Sequence, residues 1–84
     1  MSIPVAEYQA PTDSRLRELI VDYLKRCTPG EYRDMKRLGE LEDFISRTTA
    51  TTRRYADGLI ASGVFAGEAW NQAIRLIIMH SETD

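Results

Sequence analysis

The stretch that decides the fold covers residues 40–65 and reads ELEDFISRTTATTRRYADGLIASGVF. It begins with apolar side chains at helical spacing and then passes through residues 46–49, where Ser46, Thr48 and Thr49 have short polar side chains. Because such side chains bond to their own backbone and compete with a helix, the pattern predicts a tight turn there. Helical spacing then returns, which predicts a second helix over residues 49–62, capped by Thr48 and ended by Gly63. The buried side of that helix is expected to comprise Thr52, Ala56, Leu59 and Ile60.

The residues before this stretch predict further helical structure. Over residues 13–27, apolar side chains recur at spacings of three and four, which is typical of an amphipathic helix. Asp13 or Ser14 is expected to cap its start. Residues 28–31 then read TPGE, the capping-box pattern of a helix start. Either one long helix follows, or a short turn precedes a helix from about Asp34, and we favour the turn.

The residues after Gly63 predict two short strands. Residues 64–66 are apolar, and residues 73–79 alternate in a way that favours a strand, with β-branched isoleucines that suit a pleated sheet. The two segments are therefore expected to form a hairpin. A helix from Glu68 onward also satisfies the spacing of the apolar residues, and this alternative stays open. A lone tryptophan in so small a domain is usually packed, so Trp70 is expected in the core.

The two ends of the chain are expected to lie outside the folded unit, which covers residues 13–79. Pro4 and Pro11 disfavour a helix, so we interpret residues 1–12 as an extended arm and residues 80–84 as a flexible tail. The first residues lack the basic start and the apolar stretch of a secretory signal. No run reaches the roughly 18 apolar residues that a membrane span needs. We therefore expect a cytoplasmic protein with no membrane partner.

The composition argues against catalysis. The chain has 84 residues, with one histidine, His80, and one cysteine, Cys27. A zinc site or a nucleophile–base pair needs more such residues, and no glycine-rich phosphate loop is present. We expect no enzymatic activity, no metal and no cofactor. Cys27 continues the apolar side of the first predicted helix and is expected to be buried as a small hydrophobe.

The charge distribution leaves one region suited to phosphates. A net charge of −2 opposes nucleic-acid binding by bulk attraction. Residues 47–56, however, contain three arginines and no acidic residue. A local basic patch can still bind a phosphate backbone, so the net charge does not exclude contact with DNA.

Residues 40–65 resemble the winged helix-turn-helix family. The matching positions are Leu41, Ile45, Thr48, Leu59, Gly63 and Val64. Ser46 stands where the turn of that family usually has glycine, and Arg47 and Thr52 stand at positions that are normally apolar. Residues 73–78 would correspond to the second strand of the wing. The resemblance implies a mainly α fold with a small β-hairpin wing.

The same resemblance implies sequence-specific binding of double-stranded DNA by a small transcriptional regulator, of the kind encoded by phages and mobile elements. The recognition helix would be residues 49–62, since the major groove admits one α-helix and the start of that helix reaches the base edges. Threonine and arginine side chains can bond to bases or to phosphates. The candidate DNA-binding residues are Arg47, Thr48, Thr49, Thr51, Arg53 and Arg54.

Two other interpretations stay open. One is a winged-helix module that binds another protein, as an adaptor or inhibitor, and does not bind DNA by itself; the negative net charge and the acidic run at residues 40–43 favour it. The other is a subunit of a larger nucleoprotein complex. A homodimer that forms through helix 14–27 would suit a protein that binds two DNA half-sites. Its candidate contacts are Leu16, Tyr23 and Leu24, for which packing within the monomer is the alternative.

Overall fold

A computed structural model describes residues 8–79, and within them the chain is helical throughout, without a strand. The helices are α1 (Asp13–Cys27), α2 (Pro29–Leu38), α3 (Leu41–Ala61) and α4 (Ala66–Ala73), and α4 continues into a π-helical turn at Ile74–Ile78. No helix in this part of the chain is long and apolar enough to cross a membrane. Most of the predicted arm, residues 1–7, and the predicted tail, residues 80–84, lie outside the described residues.

Helix α1 confirms the amphipathic pattern, with two corrections at its ends. The residue that caps it is Thr12, whose Oγ1 accepts a hydrogen bond from the backbone N–H of Arg15 at 3.1 Å, and neither Asp13 nor Ser14 acts as the cap. The prediction that Cys27 is buried is also wrong, because Cys27 is exposed. Cys27 keeps the apolar spacing, but it is the last residue of α1, where the chain turns into α2.

Helix α2 begins directly at Pro29, so the favoured turn before Asp34 is wrong. Proline is tolerated in the first turn of a helix because the backbone N–H that it lacks has no partner there. The expected capping box does not form, since the hydroxyl of Thr28 instead donates to the carbonyl of Leu24. Gly39 ends the helix with a φ of 75°, and the N–H of Glu40 bonds back to the carbonyl of Met35 at 2.8 Å.

Helix α3 runs without interruption through residues 46–49, so the predicted turn and the separate recognition helix 49–62 are wrong. Inside the helix, the hydroxyl of Thr52 donates to the carbonyl of Thr48 at 2.8 Å, which satisfies a buried polar group without breaking the helix. Thr48 therefore lies in mid-helix and does not cap it. The buried residues keep one helical register along the whole element: Leu41, Ile45, Thr52 and Ala56.

The end of α3 agrees with the sequence more closely. Gly63 has a φ of 106°, and the N–H of Val64 bonds to the carbonyl of Leu59 at 2.9 Å, which is the Schellman arrangement. Burial of Thr52 and Ala56 is confirmed, with both at 0% exposure. Leu59 is only half-buried and Ile60 is exposed, so that part of the predicted buried side is wrong.

The predicted β-hairpin wing does not exist in the described residues, and the helical alternative from Glu68 is correct. Residues 64–65 are a loop, and α4 with its π-helical turn occupies residues 66–78. The isoleucines lose their strand preference because a helix buries Ala69, Trp70 and Ala73 together, with Ile78 beyond them. Trp70, at 2% exposure, confirms its predicted place in the core.

One core is shared by α1, α3, α4 and the π-helical turn, while α2 contributes no fully buried residue. Leu16, Tyr23 and Leu24, the candidates for a dimer surface, are all buried in this core, so these side chains are not available to a second copy. The core comprises Leu16, Ile20, Tyr23, Leu24, Leu41, Ile45, Ala56, Trp70, Ala73 and Ile78.

Candidate functional site

All the candidate DNA-binding residues lie in the middle of α3. Because that helix is continuous, they are distributed around it and do not share the first turn of a recognition helix. Arg47, Thr51 and Arg54 are exposed, whereas Thr48, Thr49 and Arg53 are half-buried. The helix thus divides the predicted site into an outward set and a set turned toward the neighbouring helices.

The outward set belongs to a larger exposed surface, which we call the α3 stripe. It consists of Ser46, Arg47, Ala50, Thr51 and Arg54, all exposed. At 3.6 residues per turn these residues share the side of α3 opposite its buried residues, and the two arginines lie two turns apart, about 10 Å along the axis. Asp43 and Asp57 bound the stripe, and no acidic residue lies between them in the sequence. The stripe is therefore short, basic and lined with small side chains.

Two of the three predicted arginines have acidic partners within the chain. The Nε of Arg47 lies 3.0 Å from Oδ2 of Asp43, one turn earlier on the same helix. Arg53 pairs with Asp13 at the start of α1, and its guanidinium lies 5.7 Å from the centre of the Trp70 ring. Among the described residues Arg54 makes no ion pair. Arg54 is therefore the arginine of α3 whose charge is least compensated.

A broad cleft between α1 and α3 shares Ser46, Ala50 and Arg54 with the stripe. Its volume is about 680 Å³, and Thr49, Arg53 and Arg54 are among its lining residues. Acidic and basic residues contribute equally to the lining: Asp13, Glu42 and Asp57 against Arg17, Arg53 and Arg54. The cleft thus has charges of both signs on its walls, unlike the stripe.

An ion pair across this cleft joins α1 to α3. Both terminal nitrogens of the Arg17 guanidinium donate to the carboxylate of Glu42. This hydrogen bonding holds the pKa of the Glu42 carboxyl below its ordinary value and raises the pKa of Arg17. This pair could not be predicted from the sequence, because 25 residues separate its members and no local pattern links them.

Ser46 and Ala50 are not among the predicted site residues, because the sequence predicts a turn at Ser46 and places Ala50 only in the first turn of a separate helix over residues 49–62. The signal that could have found them is the register of Leu41, Ile45, Thr52 and Ala56, which continues unbroken through residues 46–49. No group of histidine, cysteine or acidic side chains within residues 8–79 could hold a metal ion.

Comparison of the chain with models of known protein families, with curated proteins and with solved structures finds no match.

Proposed function

We propose that the protein binds double-stranded DNA without catalysing a reaction, with the α3 stripe lying in the major groove. One observation carries the proposal: Arg47 and Arg54 stand two turns apart on an exposed helix face, with only small side chains between them. This is the part of the chain in which the sequence concentrates arginine and excludes acidic residues. Regulation of transcription in the cytoplasm is the role we assign to such a binder.

The dimensions and chemistry of the stripe support this proposal. The major groove is about 12 Å wide and admits one α-helix. Small residues such as Ala50 let the helix backbone approach the bases, while Thr51 can bond to a base or contact a thymine methyl group. The arginines at either end can each bond to guanine or hold a phosphate. The five residues together thus provide both positioning and base-reading groups.

The docking mode proposed here differs from that of a helix-turn-helix. In that motif the first residues of the recognition helix point into the groove. The first turn of α3 instead carries Glu42 and Asp43, preceded by Glu40, and these carboxylates would meet phosphates if the helix entered end-on. The middle of α3, residues 44–56, carries no acidic residue, and Asp43 and Asp57 lie only at its two ends. We therefore propose that the helix lies along the groove and contacts DNA through its side.

The ion pairs of the arginines do not prevent this contact. The side chains of Arg47 and Asp43 are 71% and 73% exposed, and exposed ion pairs contribute only about 0–1 kcal/mol. Phosphate is a strong bidentate acceptor for arginine, so it can replace the carboxylate as the partner of the guanidinium. Arg54 needs no such exchange.

A second candidate function is the binding of another protein, and one observation favours it. The α1/α3 cleft presents as many acidic as basic residues, which fits a polypeptide segment with charges of both signs better than a uniformly negative nucleic acid. In that case the opposite charges of Arg54 and Asp57, both in the cleft wall, would determine which partner binds.

The test is selection from a pool of random duplex DNA at low and physiological salt. Wild type is compared with an Arg47→Gln, Arg54→Gln double variant and with a matched control, Arg15→Gln with Arg75→Gln. Loss of each base or phosphate contact costs about 1–3 kcal/mol, so the double variant should bind at least tenfold more weakly while the control binds like wild type. Failure of the wild type to enrich any sequence at low salt would show that the DNA proposal is wrong.

The second candidate function, the binding of another protein, is tested by a separate experiment. Crosslinking in cells that express the protein should recover a partner that is lost after the charge exchange Arg54→Glu with Asp57→Arg, and retained in the Arg15, Arg75 control. A partner recovered equally from all three proteins would not use the cleft.

A further inference from the structure

A second positively charged region lies on α1 and α2, apart from the α3 stripe. We call it the Tyr32 cluster, and it consists of Lys25, Tyr32, Arg33 and Lys36. The Nζ atoms of Lys25 and Lys36 lie 5.5 and 5.7 Å from the centre of the Tyr32 ring. Two ammonium groups from different helices thus converge on a single aromatic side chain.

The sequence places these groups together through the short connection between α1 and α2. Lys25 belongs to the last turn of α1, and α2 begins only two residues after the first helix ends. On α2, Arg33 and Lys36 are three residues apart and therefore neighbours on the helix surface. Tyr32 is half-buried against the core, which fixes the ring as a platform beside them.

The three cations of the cluster form no ion pair among the described residues, and most carboxylates of α1 and α2 pair with other arginines. Glu31 and Glu40 form no ion pair there either, so neither compensates a cation of the cluster. Three acidic residues of α1 and α2 pair with arginines outside the cluster, at 2.9 to 3.6 Å, and Glu42 of α3 pairs with Arg17. Glu31 lies along an apolar cavity formed with α1, α3 and the π-helical turn. The three α1–α2 pairs are Arg15–Glu18, Arg26–Asp22 and Arg37–Asp34.

The tyrosine ring does not neutralise this charge. A cation over an exposed aromatic ring gains about 0.5–1 kcal/mol, but the ring carries no net charge. Lys25, Arg33 and Lys36 therefore keep three uncompensated positive charges on the surface around Tyr32. A bound anion with several oxygens would compensate this charge and accept hydrogen bonds from these side chains.

We propose that the Tyr32 cluster binds the phosphates of a nucleic-acid backbone independently of base sequence. A backbone presents phosphates in a row, which matches three cations spread over two helices, and lysine binds phosphate as a compact point charge. This inference rests on the proposed function in one respect only, namely that the ligand is a nucleic acid. It adds a contact surface on different helices from the one that reads the bases.

The first part of the test is the salt dependence of binding to a duplex of fixed sequence, measured by fluorescence anisotropy in increasing KCl. The variant carries Lys25→Gln and Lys36→Gln, and the control carries Arg15→Gln and Arg75→Gln, with the same change in net charge. Two lost phosphate contacts should reduce the slope of log K against log[KCl] by about 2 in the variant, with base preference unchanged. Equal slopes in the variant and the control would overturn the proposal.

The second part separates this inference from the proposed function of α3. Inorganic tripolyphosphate is titrated into the Arg47→Gln, Arg54→Gln variant while the ring resonances of Tyr32 are followed by NMR. Saturable shifts with the same affinity as in wild type support the cluster even when duplex binding by α3 is lost. An absence of shifts at Tyr32 overturns the cluster even when duplex binding is intact.

Discussion

Replacement of Ser46 by glycine and by alanine tests whether α3 is continuous through residues 46–49. Ser46 is exposed and lies in the second turn of the helix, so a change of its side chain reports mainly on backbone preference. In a helix interior, serine is about 0.5 kcal/mol less favourable than alanine and glycine about 1 kcal/mol less favourable. We therefore expect Ser46→Ala to stabilise the fold by about 0.5 kcal/mol and Ser46→Gly to destabilise it by a similar amount.

The assay is unfolding by heat and by urea, followed by circular dichroism. A difference of about 1 kcal/mol between the two variants should separate their Tm values by about 4–8 °C in a domain of this size. Gly58→Ala provides the calibration, because Gly58 lies within α3 and a Cβ atom there would meet nothing within 4 Å. If Ser46→Gly were as stable as Ser46→Ala, residue 46 would lie in a turn and the continuous helix would be refuted.

Three further predictions concern the end of α3, the core and the ion pair across the cleft. Gly63→Ala should destabilise the protein by more than about 1 kcal/mol in urea unfolding, because its φ of 106° strains any other residue; stability equal to wild type would contradict this. Leu16→Ala should cost about 2–5 kcal/mol because Leu16 is fully buried, whereas Leu76→Ala at an exposed position should cost less than about 1 kcal/mol, and similar losses would contradict the assigned core. The hydrogen bond from Arg17 lowers the pKa of the Glu42 carboxyl in the folded state below its ordinary value of 4.5. The contribution of this pair to folding stability is therefore present above pH 4.5 and is lost as the pH falls through the lower folded pKa. Glu42→Gln should therefore lose less stability than wild type on acidification below pH 4.5, and equal losses would exclude this pair as a contributor.

The first helix and the end of α3 could be predicted from the sequence because their signals are local. Apolar spacing defines α1, and Gly63 ends α3 through its positive φ. The run of residues 46–49 is ambiguous because the short polar side chains of Ser46, Thr48 and Thr49 can form hydrogen bonds in two ways. They can cap a new helix, or they can bond within a continuing one, as Thr52 does to the carbonyl of Thr48. The continuous helix is favoured because it places Leu41, Ile45, Thr52 and Ala56 in one register against the neighbouring helices, and that packing is not visible in a local stretch of sequence.

The electrostatics of the site could not be predicted for the same reason. The sequence shows that residues 47–56 contain three arginines and no acidic residue. It does not show that Arg53 forms an ion pair with Asp13, forty residues earlier in the chain. The Tyr32 cluster depends on how α2 packs beside the end of α1, which brings Lys25 to a ring seven residues later in the chain. A stretch of sequence shows which charged residues are present, whereas the fold determines which of them have a partner of opposite charge.

The most specific part of the winged-helix resemblance has a local explanation in this structure. Leu59, Gly63 and Val64 match the exit of a recognition helix into a wing, yet here they form the Schellman end of α3, in which the N–H of Val64 bonds to the carbonyl of Leu59. That arrangement favours a glycine after the helix and an apolar residue beyond it, whatever element follows. The same three positions therefore suit a helix followed by a strand and a helix followed by α4. These positions indicate only how a helix ends. The DNA-binding proposal therefore depends on the charges of Arg47 and Arg54 and not on the fold that the resemblance implied.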